Sequence, residues 1–186
     1  MQTIEIALDE QVELCRSGDT RAYFDVYQQY ARPMLNSSMR ILNNLADAED
    51  MVQEAFVDAF RNLGSFTYKS SFEAWLRRIV INKSISLLRK RKVNWIEVDE
   101  ERLNAEGEVA VDEEQMDFDI KRIKDAIATL PDNHRIVFNL FAVDGVPQEE
   151  IAKLLGISHN NVRTIYHRAK KKILEQIQSN KYAARP

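Results

Sequence analysis

Gln148-Glu149-Glu150-Ile151-Ala152-Lys153-Leu154-Leu155-Gly156-Ile157-Ser158 is the stretch whose reading decides the fold. Its first eight residues predict a short helix with Ile151, Leu154 and Leu155 on one face, and Gly156 is the residue type that ends a helix in a left-handed turn. Ile157 plugs the corner, and Ser158 offers a side-chain oxygen to the unsatisfied N–H groups of a second helix, predicted near 159–177. Two helices joined by so short a turn must cross steeply. That is the geometry of a DNA-binding helix-turn-helix, here spanning 148–173.

At about 100° per residue, Val162, Tyr166, Ala169 and Ile173 form one stripe, predicted to face a core. Asn160, Thr164, His167 and Lys171 lie opposite, with Arg163 and Arg168 on the flanks. These side chains reach base edges and phosphates, and from Gln148 onward eight bases stand against three acids. A basic run alone is more often a solvated face, but the Gly turn, cap, core stripe and polar outer face together favour DNA. For His167 the expected role is surface or phosphate contact.

Outward from this motif, apolar residues recur at three- and four-residue spacing and strand signals are nearly absent, which makes the fold class all-α. The N-terminal part predicts a short helix near 9–16, broken at Ser17-Gly18-Asp19, then one capped by Thr20 to about Tyr30. Pro33 restarts or kinks the chain into a third helix to about Asn43. A fourth runs from about Asp47 to Leu63, ending at Gly64, and a fifth from about Ser71 to Lys92. Helices near 118–129, 132–142 (behind Pro131), 148–155 and 159–177 complete the chain.

The formal net charge of −3 conceals a segregation: Asn94 to Asp119 holds eleven acids and one base, which leaves +7 for the remainder. The remainder therefore admits a polyanion partner that the pooled charge would argue against. With Gly107 and no sustained apolar period, 94–117 reads as an acidic flexible linker between two small helical domains, 1–93 and 118–186.

Among 186 residues no apolar run approaches the roughly 20 that a membrane span needs, and Met1 to Glu10 carries acids where a signal peptide has bases. A cytoplasmic protein without membrane insertion is expected. Cys15 stands alone and the three histidines are scattered, so neither a disulfide nor a metal site is expected. Five glycines, no phosphate-binding loop and no nucleophile elbow argue against an enzyme and against a bound cofactor.

On the fourth helix Asp47, Asp50, Glu54 and Asp58 share one band, opposite Val52, Phe56, Ala59, Phe60 and Leu63, and no base lies between Ala46 and Phe60. Such a stripe is either a solvated face or a docking surface for a basic partner. The fifth helix reverses the sign: Arg77, Arg78, Lys83, Arg89, Lys90, Arg91 and Lys92 follow one another without an acid, a surface suited to tracking phosphates. Phe66, Tyr68, Phe72 and Trp75 stand beside it with Lys69, Ser70 and Ser71, and aromatic faces near bases suit unstacked nucleotides. Phe72 and Trp75 are expected to be largely buried, leaving Tyr68, Lys69 and Ser70 as the better contacts.

From about Tyr23 to Ile177 the chain resembles a bacterial RNA polymerase sigma factor of the extracytoplasmic-function (ECF) group. Asp47-Ala48-Glu49-Asp50-Met51-Val52-Gln53-Glu54-Ala55-Phe56 is similar to the family's helix that docks on the polymerase clamp. Phe72-Glu73-Ala74-Trp75-Leu76, Asn82 and Leu87-Leu88-Arg89 are similar to its segment that melts and reads the −10 element. Leu130-Pro131, the helix-turn-helix and His167-Arg168-Ala169-Lys170 are similar to its −35-binding domain.

The resemblance implies a non-enzymatic initiation factor that joins core polymerase, binds promoter DNA and, by family habit, answers to an anti-sigma factor. Docking then falls to Asp47, Glu49, Asp50, Gln53 and Glu54. Strand capture falls to Phe66, Tyr68, Lys69, Ser70, Arg77, Arg78, Asn82, Lys83 and Arg89, and duplex reading to Ser158, Asn160, Asn161, Arg163, Thr164, His167, Arg168 and Lys171. Two departures, Ile81 and Ile165 where the family often has Arg, are read as lost phosphate contacts. A stand-alone helix-turn-helix regulator is the competing class, and the long basic fifth helix argues against it.

Overall fold

The computed structural model describes residues 10–91 and 116–183, with side chains described for 10–91 and 120–178. The expected linker lies almost wholly outside the described residues. Every described element is helical: α1 at 10–16, α2 Thr20–Leu42, α3 Leu45–Arg61, a 3-10 turn Leu63–Ser65, α4 Phe72–Lys90, α5 Met116–Ala128, α6 Asp132–Phe138, a π-helical turn Asn139–Val143, α7 Gln148–Leu155 and α8 His159–Ala183. The chain divides into two compact units, Met1–Val93 and Asn94–Pro186.

In the first unit α2, α3 and α4 pack against one another. Asp19, one residue before the expected Thr20, caps α2 by accepting the N–H groups of Arg21 at 2.8 Å and Ala22 at 3.2 Å. The expected break at Pro33 does not occur, and α2 runs continuously through it. Proline removes one helical hydrogen bond and costs about 3 kcal/mol in a helix interior. The buried stripe of Ala22, Val26, Tyr30, Met34, Ser37, Ser38 and Ile41 keeps one phase across that position, so burial against α3 and α4 outweighs the loss. Fully burying a side chain such as Met34 contributes about 1.5–3 kcal/mol.

Asn44 caps α3 by accepting the Asp47 N–H at 3.0 Å, which starts the helix before the expected Asp47. Ser71 caps α4 through the Ala74 N–H at 3.2 Å. Inside the bundle Ser84 donates to the Val80 carbonyl at 2.9 Å, so its hydroxyl oxygen accepts from Ser38, 2.9 Å away on α2.

In the second unit α8 packs against α5, α6 and α7. Ala126, Leu130, Ala169 and Ile173 share a core with Ile127, Phe138 and Ile177 packed on it. The helix expected over 132–142 is α-helical only to Phe138, then widens so that Asp144 N–H reaches the Asn139 carbonyl at 2.9 Å. That insertion is a π turn, a local geometry which periodicity does not signal.

Candidate nucleic-acid interfaces

The helix-turn-helix corner forms as its residues dictate. Gly156 adopts φ 70° and sends its N–H to the Ala152 carbonyl at 2.9 Å, and Ser158 Oγ accepts the Asn161 N–H at 3.1 Å. The recognition helix α8 is buried over a wider sector than the predicted stripe, because it packs against α5, α6 and α7. Val162, Ala169 and Ile173 are buried as expected, and so are Asn161, Thr164 and Ile165.

Thr164 is 3 % and Asn161 8 % exposed, which takes both of these expected readers off the surface. Asn161 Oδ1 is enclosed there without a hydrogen-bond partner. Asn160, Arg163, His167 and Lys171 remain exposed and fall within about 80° of arc at about 100° per residue. Arg168 is half-buried and close enough to His134 on α6 to depress that imidazole's pKa, together with Lys172 and behind burial as the largest cause.

In the first unit Phe66 is 3 % exposed, so the loop residue expected to stack on a base is instead a core residue. Its ring lies 5.6 Å from Phe72, 5.4 Å from Trp75 and 4.6 Å from Tyr68, and contact with three aromatic rings is what draws it inward. Tyr68, Lys69 and Ser70 stand exposed above it. Tyr68 adopts φ 58°, and its hydroxyl donates to Glu13 Oε1 on α1.

Along α4, Arg78, Asn82 and Arg89 are exposed and Trp75 half-buried, and all four fall within about 80° of arc that also includes Ser86. Arg77 on this helix pairs with Glu73, and Lys83 pairs with Asp58 at 2.7 Å and Glu54 at 3.2 Å; both bases are half-buried.

Those last pairs revise the expectation of unopposed charge on both helices. Lys83 on α4 and Arg91 just past its end reach the acid stripe of α3. The bond to Asp58, the first of several causes, raises the Lys83 pKa, and a bond from Arg91 at 2.7 Å holds the Asp47 carboxyl below its ordinary value. Arg91 in turn is raised by the same bond. Glu49, Asp50 and Gln53 lie exposed on the outward face beside Glu54. Asp58 and Arg91 are the members of this network that sequence reading counted in the acid band and the basic run without assigning either a site role. The charges themselves were legible, but their pairing joins positions far apart in the chain.

Ile81 and Ile165 are 2 % and 1 % exposed. A guanidinium at either position would enter a core, so neither isoleucine removes a phosphate contact from the surface. Among the described residues no group of three or more His, Cys, Asp or Glu stands where it would hold a metal, and no helix is long and apolar enough to cross a membrane.

A four-helix unit with an aromatic-edged basic face, and a second unit carrying a helix-turn-helix, define a two-part DNA-binding transcription factor. The family models that match are Sigma-70 region 2 over residues 26–93 and Sigma-70, region 4 over 120–173. RNA polymerase sigma-H factor of Pseudomonas aeruginosa is 31 % identical over 90 % of this chain and 92 % of its own. ECF RNA polymerase sigma factor SigW of Bacillus subtilis is 29 % identical over 94 % and 98 %. The chain belongs to the ECF group of RNA polymerase sigma factors, proteins of transcription initiation.

Two solved structures share the fold. One is CnrH in complex with the cytosolic domain of CnrY, with TM-score 0.53 and 23 % identity over 93 % of this chain and 98 % of that one. The other is the sigma factor RpoE of Bartonella quintana in complex with the anti-sigma factor NepR, with TM-score 0.52 and 19 % identity over 86 % and 98 %.

Proposed function

We propose that this ECF sigma factor docks on core polymerase through Asp47, Glu49, Asp50, Gln53 and Glu54 on α3, and reads the promoter at two places. An opened −10 strand is held by Tyr68, Lys69, Ser70 and the α4 face of Arg78, Asn82 and Arg89. The −35 duplex is read by Asn160, Arg163, His167 and Lys171, with Arg168 and the Ser158 cap beside them. Residues 1–93 would then be the docking and −10 domain, 94–117 the connecting linker and 118–186 the −35 domain. The protein acts in the cytoplasm, performs no chemistry of its own and is held inactive by an anti-sigma protein. The structural relative RpoE is solved in complex with an anti-sigma factor, NepR.

The observation that carries this reading is the pair of outward faces of opposite charge in one small bundle: Glu49 and Asp50 exposed on α3, and an aromatic-edged basic strip on α4. A stand-alone regulator needs no such pair. Run-off transcription from genomic fragments with added core polymerase is the direct test, and binding to DNA without any dependence on polymerase would point to a regulator instead. Asp50→Ala with Gln53→Ala, both exposed, should abolish capture of core polymerase in a pull-down while the helical circular dichroism stays unchanged. Undiminished capture would sink the docking assignment.

A further inference from the structure

Helix α1 (10–16) lies before the residues matched by the region 2 model, which begins at 26. Two of its side chains nevertheless converge on the loop that follows α3, some fifty residues later. The Arg16 guanidinium donates to the Leu63 carbonyl at 3.2 Å and to the Phe66 carbonyl at 2.5 Å. The same group lies over the Tyr68 ring, 5.1 Å from its centroid, and pairs with Glu13 at 2.8 Å. Glu13 in turn accepts the Tyr68 hydroxyl. One arginine and one glutamate thus hold the backbone at the start of the loop, the face of its aromatic residue and that residue's hydroxyl.

Tyr68 is the residue that needs holding. It is exposed, and its φ of 58° is in the left-handed region that side chains other than Gly, Asn and Asp rarely adopt. Released, the backbone would relax towards commoner conformations and the ring would leave its place 4.6 Å from Phe66. A loop ordered before binding does not have to be ordered by the ligand, and affinity and selectivity gain accordingly.

We infer that α1 is the positioning element of the strand-capture loop: Arg16 and Glu13 preset Tyr68, Lys69 and Ser70 in the geometry that accepts an unstacked −10 base. This rests on the proposed role of that loop.

The test uses holoenzyme assembled from the full chain and core polymerase. The probes are fluorescein-labelled single strands bearing the nontemplate −10 sequence of a promoter mapped by run-off transcription, together with strands in which each −10 base is changed in turn. Tyr68→Ala and Arg16→Ala should each lower the ratio of cognate to altered-strand binding roughly tenfold, because a loop no longer preset in one geometry loses its discrimination between bases. Tyr68→Phe, which removes only the hydroxyl bond to Glu13, should lower it by a smaller factor. Glu13→Gln, which keeps an acceptor, should recover most of what Glu13→Ala loses.

A uniform loss of binding in Arg16→Ala with the ratio intact would mean that Arg16 only stabilises the fold, and would overturn the proposal. So would a full ratio in Arg16→Ala and Tyr68→Phe alongside a reduced one in Tyr68→Ala. An unchanged ratio in Tyr68→Ala would remove the loop from strand contact, overturning the underlying reading and the role of α1 with it.

Discussion

Gly156 is where one residue's conformation sets the angle between two helices. At φ 70° a Cβ meets the backbone penalty that restricts this region to glycine and, less comfortably, asparagine. Gly156→Ala should therefore destabilise the second unit by about 1–2 kcal/mol, and Gly156→Asn by less. The shift in urea midpoint would show it, and an unshifted midpoint for alanine would mean that the corner relaxes freely.

His134 adds a pH dependence of definite sign. Burial first, then the cations of Lys172 and Arg168, hold its pKa below 6.5, so on acidification the unfolded chain takes up this proton first. Its stability contribution is full above that value and is lost as pH falls below it. His134→Gln should flatten the fall in urea midpoint between about pH 7 and pH 5. An equally steep fall in the variant would assign the acid sensitivity elsewhere. Residues also show where a helical wheel reaches its limit. It placed Val162, Ala169 and Ile173 inside, but assumed one packing seam where α8 meets three helices, and so left Asn161 and Thr164 outside.

Among the elements, α4 presents two basic edges with different company. Arg78, Asn82 and Arg89 are exposed on one, and on the other Lys83, with Arg91 just past the helix end, pairs with carboxylates of α3. Half-exposed ion pairs of this kind are weak enough to be exchanged, so a cationic polymerase surface that takes Glu54 would loosen Lys83 for a phosphate. Glu54→Gln with Asp58→Asn should mimic that release. The free protein should then bind single-stranded DNA with a logarithmic salt dependence steeper by about 0.7, the increment for one more neutralised phosphate. In a Lys83→Gln background the same pair of changes should leave the slope alone. A slope that steepens equally in both backgrounds would trace the effect to overall charge.

The sequence made the amphipathic face of α3 legible because a single helix carries its pattern. The Lys83 and Arg91 pairs were hidden because they join positions far apart in the chain. The continuity of α2 through Pro33 was hidden for the same reason, since packing with α3 and α4, not local propensity, decides it.

Each of the two units has its own core and its own exposed arc, and the proposed reading assigns a DNA contact to each. A duplex contact made by phosphates and base edges has a signature that a buried residue cannot share: every phosphate neutralised adds about 0.9 to the slope of log affinity against log salt. Arg163 and Lys171 are exposed on the arc that includes Asn160 and His167, whereas Thr164, three residues before His167 on the same helix, is 3 % exposed. With holoenzyme on a mapped promoter duplex, Arg163→Ala together with Lys171→Ala should reduce the slope by about 1.8. Thr164→Val, which keeps shape but removes the hydroxyl, should leave it unchanged whatever it does to stability. If the double variant keeps the parental slope, the duplex does not lie on this arc. If Thr164→Val alters it, the first turns of α8 must open when DNA binds.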